Sequence, residues 1–445
     1  MTIPRLRFAP SPTGYLHVGN ARIVLANALY ARRHQGHLLL RLDDTDVERS
    51  RPEYEAAIKQ DLAWLGITWD SSFRQSDRTA LYEAAAEKLK KSGRLYPCFE
   101  SEDELRVKRE LQIKRRQPPV YDRAMLRLTP EQRAQAEANG KSPYWRFKLS
   151  EATSAWEDLV LGLRQVKLSS VSDPVLIRAD GTFLYTFTSV VDDLDTKITH
   201  IVRGEDHVTN TGVQLDLARA LGADPGKLQF AHLPLLVDTD GGKLSKRLEG
   251  LSLRSLRQDG MEPAALASYL ARLGSSLSPE PLPFDTLAAT YDFATISKSA
   301  ARFDMAQLLA MNRKTLHEAE FETVRDRLPA DATPEFWAAI RGNLDLLSEA
   351  KLWWNVVAGD IATPVMQDSD FLQQARALLP PSPWDGQTWK LWTAAVKQAT
   401  GRAGKTLFHP LRLALTGEEH GPELALLLPL MGNDRAARRL ELAAI

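Results

Sequence analysis

The opening of the chain, residues 5–46, leaves little freedom of architecture. Residues 5–9 read as a short strand that runs into the turn-rich Pro10-Ser11-Pro12-Thr13-Gly14. Residues 19–34 then carry Ile23, Leu25, Ala26 and Leu29 at mixed three- and four-residue spacings, which predicts a helix. Residues 37–42 form a second apolar run of strand length and end in Asp43-Asp44-Thr45-Asp46. Strand, glycine turn, helix and strand in that order open a parallel α/β sheet.

Further along, residues 81–165 change character: 106–116 are strongly basic, and 144–149 alternate as a strand does. Strand-like runs return at 175–178 and 197–202, and 225–237 read as another α/β element before the loop Asp240-Gly241-Gly242-Lys243-Leu244-Ser245-Lys246-Arg247. Beyond Glu262 almost everything reads as helix, broken by proline-rich joints at 278–283 and 379–384. At 445 residues the chain calls for two to four domains. No early apolar run reaches membrane-spanning length, and the first residues do not form a signal peptide. Cys98 is the only cysteine, so an intrachain disulfide is excluded and a cytoplasmic protein is expected. Lys and Arg (57) balance Asp and Glu (57), which excludes a globally basic protein but not a basic stripe for a nucleic acid.

Two constellations carry chemistry. His17-Val18-Gly19-Asn20 follows the proline-glycine turn at the start of the predicted helix, where unpaired N–H groups and the dipole suit a phosphate. The glycines would let a ligand approach the backbone, and His17 could donate to a phosphate oxygen. On residue types alone, a proline-rich turn with a capping histidine stands level with that reading. In the second constellation Lys243 and Lys246, flanked by Gly241-Gly242 and Ser245, could clamp departing pyrophosphate. An isolated basic turn is more often a solvated surface.

Together the two resemble the signature motifs of class I aminoacyl-tRNA synthetases: His17-Val18-Gly19-Asn20 and the lysine loop Lys243-Leu244-Ser245-Lys246-Arg247. The surrounding residues resemble the glutamyl/glutaminyl branch, in which Asn20 is usual: Phe8-Ala9-Pro10-Ser11-Pro12-Thr13-Gly14, Asp44-Thr45-Asp46, Val191-Asp192-Asp193, and Ile201-Val202-Arg203-Gly204-Glu205-Asp206-His207 before Asn210-Thr211. Bacterial glutaminyl enzymes end in β-barrels, whereas Arg302-Phe303-Asp304, Met311-Asn312, 409–417 and 435–440 resemble the helical C-terminal half of glutamyl-tRNA synthetases.

The resemblance implies a Rossmann-like α/β catalytic domain (1–80 plus 188–240) and an inserted α+β domain for the acceptor arm (81–187). All-α parts follow: a stem-contact domain with the lysine loop (241–315) and a helical anticodon-binding region (316–445, two subdomains meeting near 370). It implies ATP-dependent activation of L-glutamate and transfer to tRNA(Glu) by a monomer, with Mg²⁺ accompanying the nucleotide and no membrane association. His17, Lys243 and Lys246 would be catalytic; Pro10, Gly19, Asn20, His207, Leu235 and Ser245 would join them at ATP; Arg7, Ser11, Asp43, Tyr185, Ser189 and Arg203 would hold glutamate. Lys108, Arg109, Arg115 and Asn343 would touch tRNA.

The chain departs from the family pattern in places. Asp43 stands where a glutamate is common, and Ser189 where an asparagine is common, so side-chain recognition would rest more on Arg7 and Tyr185. A lone Cys98 cannot build a thiolate-rich zinc knuckle, so no zinc is expected. Asn343 aligns with an arginine that enforces the third anticodon base, with Arg341 two residues away, which leaves room for glutamate charging of tRNA(Gln), even preferentially. The alternatives are a glutaminyl-tRNA synthetase and a catalytically inactive tRNA-binding paralogue; the latter would be expected to have lost His17, Lys243 or Lys246.

Overall fold

The computed structural model describes residues 3–242, 244, 251–362, 364 and 366–444. Lys243, Ser245 and Lys246 lie outside the described residues. Strands β1 (Arg5–Phe8), β2 (His37–Leu42) and β3 (Ser71–Arg74) pair in parallel, with Arg5 opposite His37 and Leu39 opposite Ser71. Helices α1 (Val18–Arg33) and α2 (Pro52–Trp64) make the crossovers. β2 is buried at every residue after His37 because it lies centrally, which explains its continuous apolar run. α1 is buried nearly all round, including Arg22 and Asn27, so its apolar residues mark no single face. Arg22 satisfies its guanidinium on the carbonyls of Pro234 (2.6 Å) and Leu273 (3.1 Å).

After α3 (Thr79–Lys91) the chain lays down β4 (Leu95–Cys98), α4 (Glu102–Lys114), α5 (Pro130–Ala138), β5 (Tyr144–Phe147), the hairpin β6 (Thr153–Asp158) and β7 (Gly162–Lys167), and β8 (Val175–Ile177). β4, β5 and β8 form an antiparallel sheet. α4 starts earlier than the basic run predicts, because Ser101 caps it and Glu104 closes a capping box; Arg115 and Arg116 fall beyond its last turn.

Through α6 (Tyr185–Asp195), β9 (His200–Gly204), α7 (Val208–Ala220) and β10 (Gln229–Leu233) the chain completes a third sheet, ordered β7-β6-β10-β9. β9 begins three residues later than the apolar run suggests: Lys197 takes φ 56 to turn the chain, and Thr199 is used to tie β9 to β1. Thr199 N donates to Arg5 O at 2.9 Å, and Arg5 N to Thr199 Oγ1 at 2.8 Å. The winding reverses between β1 and β9, which opens a crevice at their C-terminal ends. The stretch 225–237 holds a short turn and strands rather than a helix; its last piece, β11 (Leu236–Val237), pairs with β12 (Ala301–Arg302).

The chain divides into two compact units, Met1–Ser255 with Ala267–Asp304 and Leu256–Leu266 with Met305–Ile445. The second is helical and has its own core around Trp337, Trp353, Trp392, Leu411 and Leu428. Buried Arg439 donates there to the carbonyls of Val356, Leu415, Asn355 and Gly359, closing helix ends that would otherwise leave orphan acceptors.

Candidate active site

A cavity of about 580 Å³ opens in the crevice between the ends of β1 and β9. His17 stands at its edge as the N-cap of α1: its Nδ1 accepts from Gly19 N at 3.1 Å, and Asn20 Oδ1 accepts from His17 N at 3.2 Å. The capping and functional readings of His17 therefore coexist, since a ring held by Nδ1 carries its proton on Nε2. Burial lowers its pKa and keeps the imidazole neutral. A Cβ on Gly19 would lie 2.9 Å from the His17 ring, so the His17 cap by itself calls for glycine here. Downstream of the lysine loop, Leu253 N donates to Leu16 O at 2.8 Å and Ser252 bridges to His17.

Two arginines reach the cavity in different electrostatic states. Arg7 on β1 donates through Nε to Asp193 (3.3 Å) and through Nη1 to Val202 O (3.5 Å); its Nη2 has no hydrogen-bond partner among the described residues. Arg41, completely buried, grips Asp43 with Nε (2.6 Å) and Nη2 (3.1 Å) and reaches Asp193 with Nη1 at 2.8 Å. Burial opposes the Arg41 charge, but Asp43, Asp193 and Asp192 hold its pKa well above the ordinary value. Burial pushes the Asp43 carboxyl up to about 6, against the pull of Arg41. Arg203 on β9 is only 6% exposed and, among the described residues, its hydrogen-bond partners are neutral groups: His232 Nε2 (3.3 Å), Tyr185 Oη (3.2 Å) and Thr211 Oγ1 (2.6 Å). Burial lowers its pKa, and Tyr185 and the nearby Asp193 only partly offset this.

Pro10, Ser11, Asn20, Tyr185 and His207 also line the cavity. Burial, then the nearby Arg203, lowers the His207 pKa. Leu235 does not line it; its N–H goes to Glu205 Oε1 and its side chain is exposed. Ser189 is turned away and accepts from Gln214 Nε2 at 2.8 Å, so the longer Gln214 occupies the space beside the short serine. Arg41, Asp158 and His232 were not singled out from sequence; for Arg41 and His232, a polar residue inside an apolar strand (Leu40-Arg41-Leu42, Ala231-His232-Leu233) is the signal that could have found them.

Of the expected tRNA contacts, Arg109 and Arg115 are exposed, and Lys108 is held by Glu100 (2.7 Å) and Asp122 (3.3 Å). Asn343 is exposed in a 3₁₀ turn, 341–343, while Arg341 donates to Ala319 O at 3.0 Å. Cys98 is fully buried near Tyr121 Oη (3.7 Å), and burial pushes its thiol up to about 11. The neighbouring carboxylate, Glu100, is already taken by Lys108, Tyr121 and Tyr144, a donor set ill suited to a metal. Among the described residues no helix is long and apolar enough to cross a membrane.

A doubly wound sheet with a capped helix start and buried guanidinium groups at its switch point defines a nucleotide-binding α/β catalytic domain. The chain belongs to the class I tRNA synthetases of the glutamate and glutamine (E and Q) group: the catalytic-domain family matches residues 4–317, and an anticodon binding domain matches 362–444. It is 66% identical to "Glutamate--tRNA ligase 2" of Gluconacetobacter diazotrophicus, covering 99% of this chain and all of that protein. Identity to the protein of that name from Granulibacter bethesdensis is 65%, over 99% of this chain and 98% of the relative. In fold it is similar to the glutamate-tRNA synthetase of Elizabethkingia anophelis (TM-score 0.83, 24% identity, all of both chains covered). The glutamate tRNA ligase of Elizabethkingia meningosepticum in complex with its amino acid gives a TM-score of 0.82 at 24% identity, covering 100% of this chain and 99% of that one.

Proposed function

We propose that this chain is a glutamate–tRNA ligase in which the cavity at the ends of β1 and β9 joins L-glutamate to ATP and passes it to the terminal ribose of tRNA(Glu). The observation that carries the choice of amino acid is Arg203: a buried guanidinium with neutral partners only is costly until an anion joins it. Its three protein bonds leave one N–H on each terminal nitrogen, and Tyr185, accepting from Arg203, keeps its own O–H to donate. With Arg7 lining the same cavity, two planar guanidinium groups suit a dicarboxylic substrate.

Ser11 and Asp43 would meet the amino group. His17 Nε2–H and the start of α1 would meet the phosphates, with Pro10, Gly19, Asn20 and His207 around the nucleotide. Leu235 and Ser189, outside the cavity wall, would act through backbone and packing. Lys243, Ser245 and Lys246 would close on the phosphates from the loop that precedes Ser252. In the first step a glutamate carboxylate oxygen attacks the α-phosphorus and pyrophosphate leaves. A ribose hydroxyl then attacks the acyl carbon and AMP leaves. Both steps are positioning and charge stabilisation, without an enzyme nucleophile. Mg²⁺ would arrive with the ATP phosphates, since no three His, Cys, Asp or Glu side chains among the described residues form a cage. No zinc is needed on this reading.

The protein would act as a cytoplasmic monomer, with 81–187 on the acceptor arm, 241–315 on the stem and 316–445 on the anticodon. Charging of tRNA(Gln) is supported by the absence of an arginine at exposed Asn343 and by the engagement of Arg341 with Ala319. ATP–pyrophosphate exchange with tRNA present tests the main reading: exchange should require glutamate and fail with glutamine, and R203Q should lower kcat/KM for glutamate at least 100-fold. Equal exchange with glutamine would favour a glutaminyl enzyme, and no exchange an inactive tRNA-binding protein. Aminoacylation of the two purified tRNAs tests the second reading; strict activity on tRNA(Glu) would sink it.

A further inference from the structure

Beneath Arg203 lies a buried relay that meets the cavity wall directly at that arginine and, by way of Thr211, at the His207 carbonyl. Asp158 ends β6 and His232 lies in the adjacent β10; they are 3% and 0% exposed. The backbone N–H groups of Val160 (3.1 Å), Leu161 (3.0 Å) and His232 (3.1 Å) converge on Asp158 Oδ1. Its Oδ2 accepts from His232 Nδ1 at 2.5 Å and from Trp156 Nε1 at 3.4 Å. An oxygen pair ringed by donors is an ionised carboxylate, and such a carboxylate fixes the imidazole proton on Nδ1. His232 Nε2 is then a bare acceptor. It receives Arg203 Nε at 3.3 Å and Thr211 Oγ1 at 2.9 Å, while Thr211 itself accepts Arg203 Nη2 at 2.6 Å.

We propose that Asp158 and His232 are positioning residues for Arg203: Asp158 selects the imidazole tautomer that accepts from the guanidinium, and this aims the free N–H groups of Arg203 into the glutamate site. The inference rests on the glutamate reading above and concerns groups that never touch substrate. The other tautomer would set Nε2–H against Nε–H of Arg203, donor against donor, and would reverse the Thr211 bond, leaving the Thr211 hydroxyl to donate to His207 O at 3.2 Å. The guanidinium would then be held only by Tyr185 and Thr211, and its plane would be free to tilt.

D158N separates this role from packing, because asparagine has nearly the same shape. Three backbone N–H groups keep its oxygen at the Oδ1 position, so the amide NH₂ must face His232 and donate to Nδ1. The ring proton then moves to Nε2, against Arg203. H232Q is the rescue variant, since its side-chain carbonyl can accept from Arg203 without a ring tautomer; H232L removes the acceptor altogether.

Two measurements on the full chain decide the matter. In ¹⁵N spectra of ring-labelled histidine, with H232Q identifying the resonances, His232 should be protonated at Nδ1 in the parent and at Nε2 in D158N. In calorimetric titrations, D158N and H232L should weaken L-glutamate at least tenfold and change ATP affinity less than twofold, with H232Q recovering most of the loss. Nε2 protonation in the parent, or parent-like glutamate affinity in D158N, overturns the proposal. So does a loss shared equally by ATP, which marks general distortion. A parent chain that binds no glutamate sinks the glutamate reading instead, and the tautomer spectra still judge the relay on their own.

Discussion

A methyl group at Gly19 would come within 2.9 Å of the His17 ring, so G19A must push that ring off the Gly19 N–H. Loss of such a cap costs about 1 kcal/mol of stability, but the displaced Nε2–H no longer faces the cavity. The expected outcome is a melting temperature within a few degrees of the parent and a fall in kcat of tenfold or more, read by thermal denaturation and pyrophosphate exchange. Asp43 gives the pH dependence. With its carboxyl raised to about 6, it is ionised above that pH and able to meet an ammonium group; as the pH falls through 6 it protonates and the contact is lost. Activity should therefore drop on the acid side of pH 6 through a rise in KM for glutamate. D43N should raise that KM at neutral pH and flatten the acid limb; an unchanged limb would place the titration elsewhere. His17, Arg7 and Arg203 were legible in the sequence because each sits in or beside a contiguous motif. Arg41, Asp158 and His232 were not, because their meaning lies in partners brought from elsewhere in the chain: Asp193 for Arg41, and Asp158 for His232, 74 positions away.

At the scale of elements, period and apolar runs predicted β1, α1 and β2 to within a residue or two. The ends that moved are those fixed by side-chain caps and positive φ: Ser101 and Glu104 start α4 early, and Lys197 delays β9. α4 has no buried residue, so its charges rather than its packing are its exposed content. Yet they are not equivalent. Lys108 is tied down by Glu100 and Asp122, whereas Arg109 and Arg115 are exposed. R109E with R115E should weaken tRNA and flatten the salt dependence of aminoacylation while leaving thermal stability alone, because exposed cations contribute mainly through counterion release. K108E should instead lower the melting temperature, by setting a third carboxylate against two that it now neutralises. A double R109E/R115E variant with parent-like salt dependence would remove α4 and the turn that follows it from the tRNA interface.

At the scale of the whole molecule, each of the two units has a core of its own, and such units unfold as separate cooperative transitions unless their interface is large and apolar. Scanning calorimetry should resolve two transitions, with ATP and glutamate raising only that of the unit holding the cavity. R439M strips donors from the carbonyls of Val356, Leu415, Asn355 and Gly359, and should destabilise the helical unit by about 2 kcal/mol or more without moving the other transition. A shift of both transitions together would show one cooperative body.

The unequal footing of the two arginines reaches beyond binding. Replacing Arg7 by a neutral residue would leave Arg41 to offset both Asp193 and Asp43, a cost in buried charge that the fold would have to absorb. Replacing Arg203 strands nothing, since a hydroxyl, a phenol and an imidazole lone pair can each accommodate a neutral side chain. A change at position 203 would therefore disturb the buried charge around the cavity less than a change at position 7.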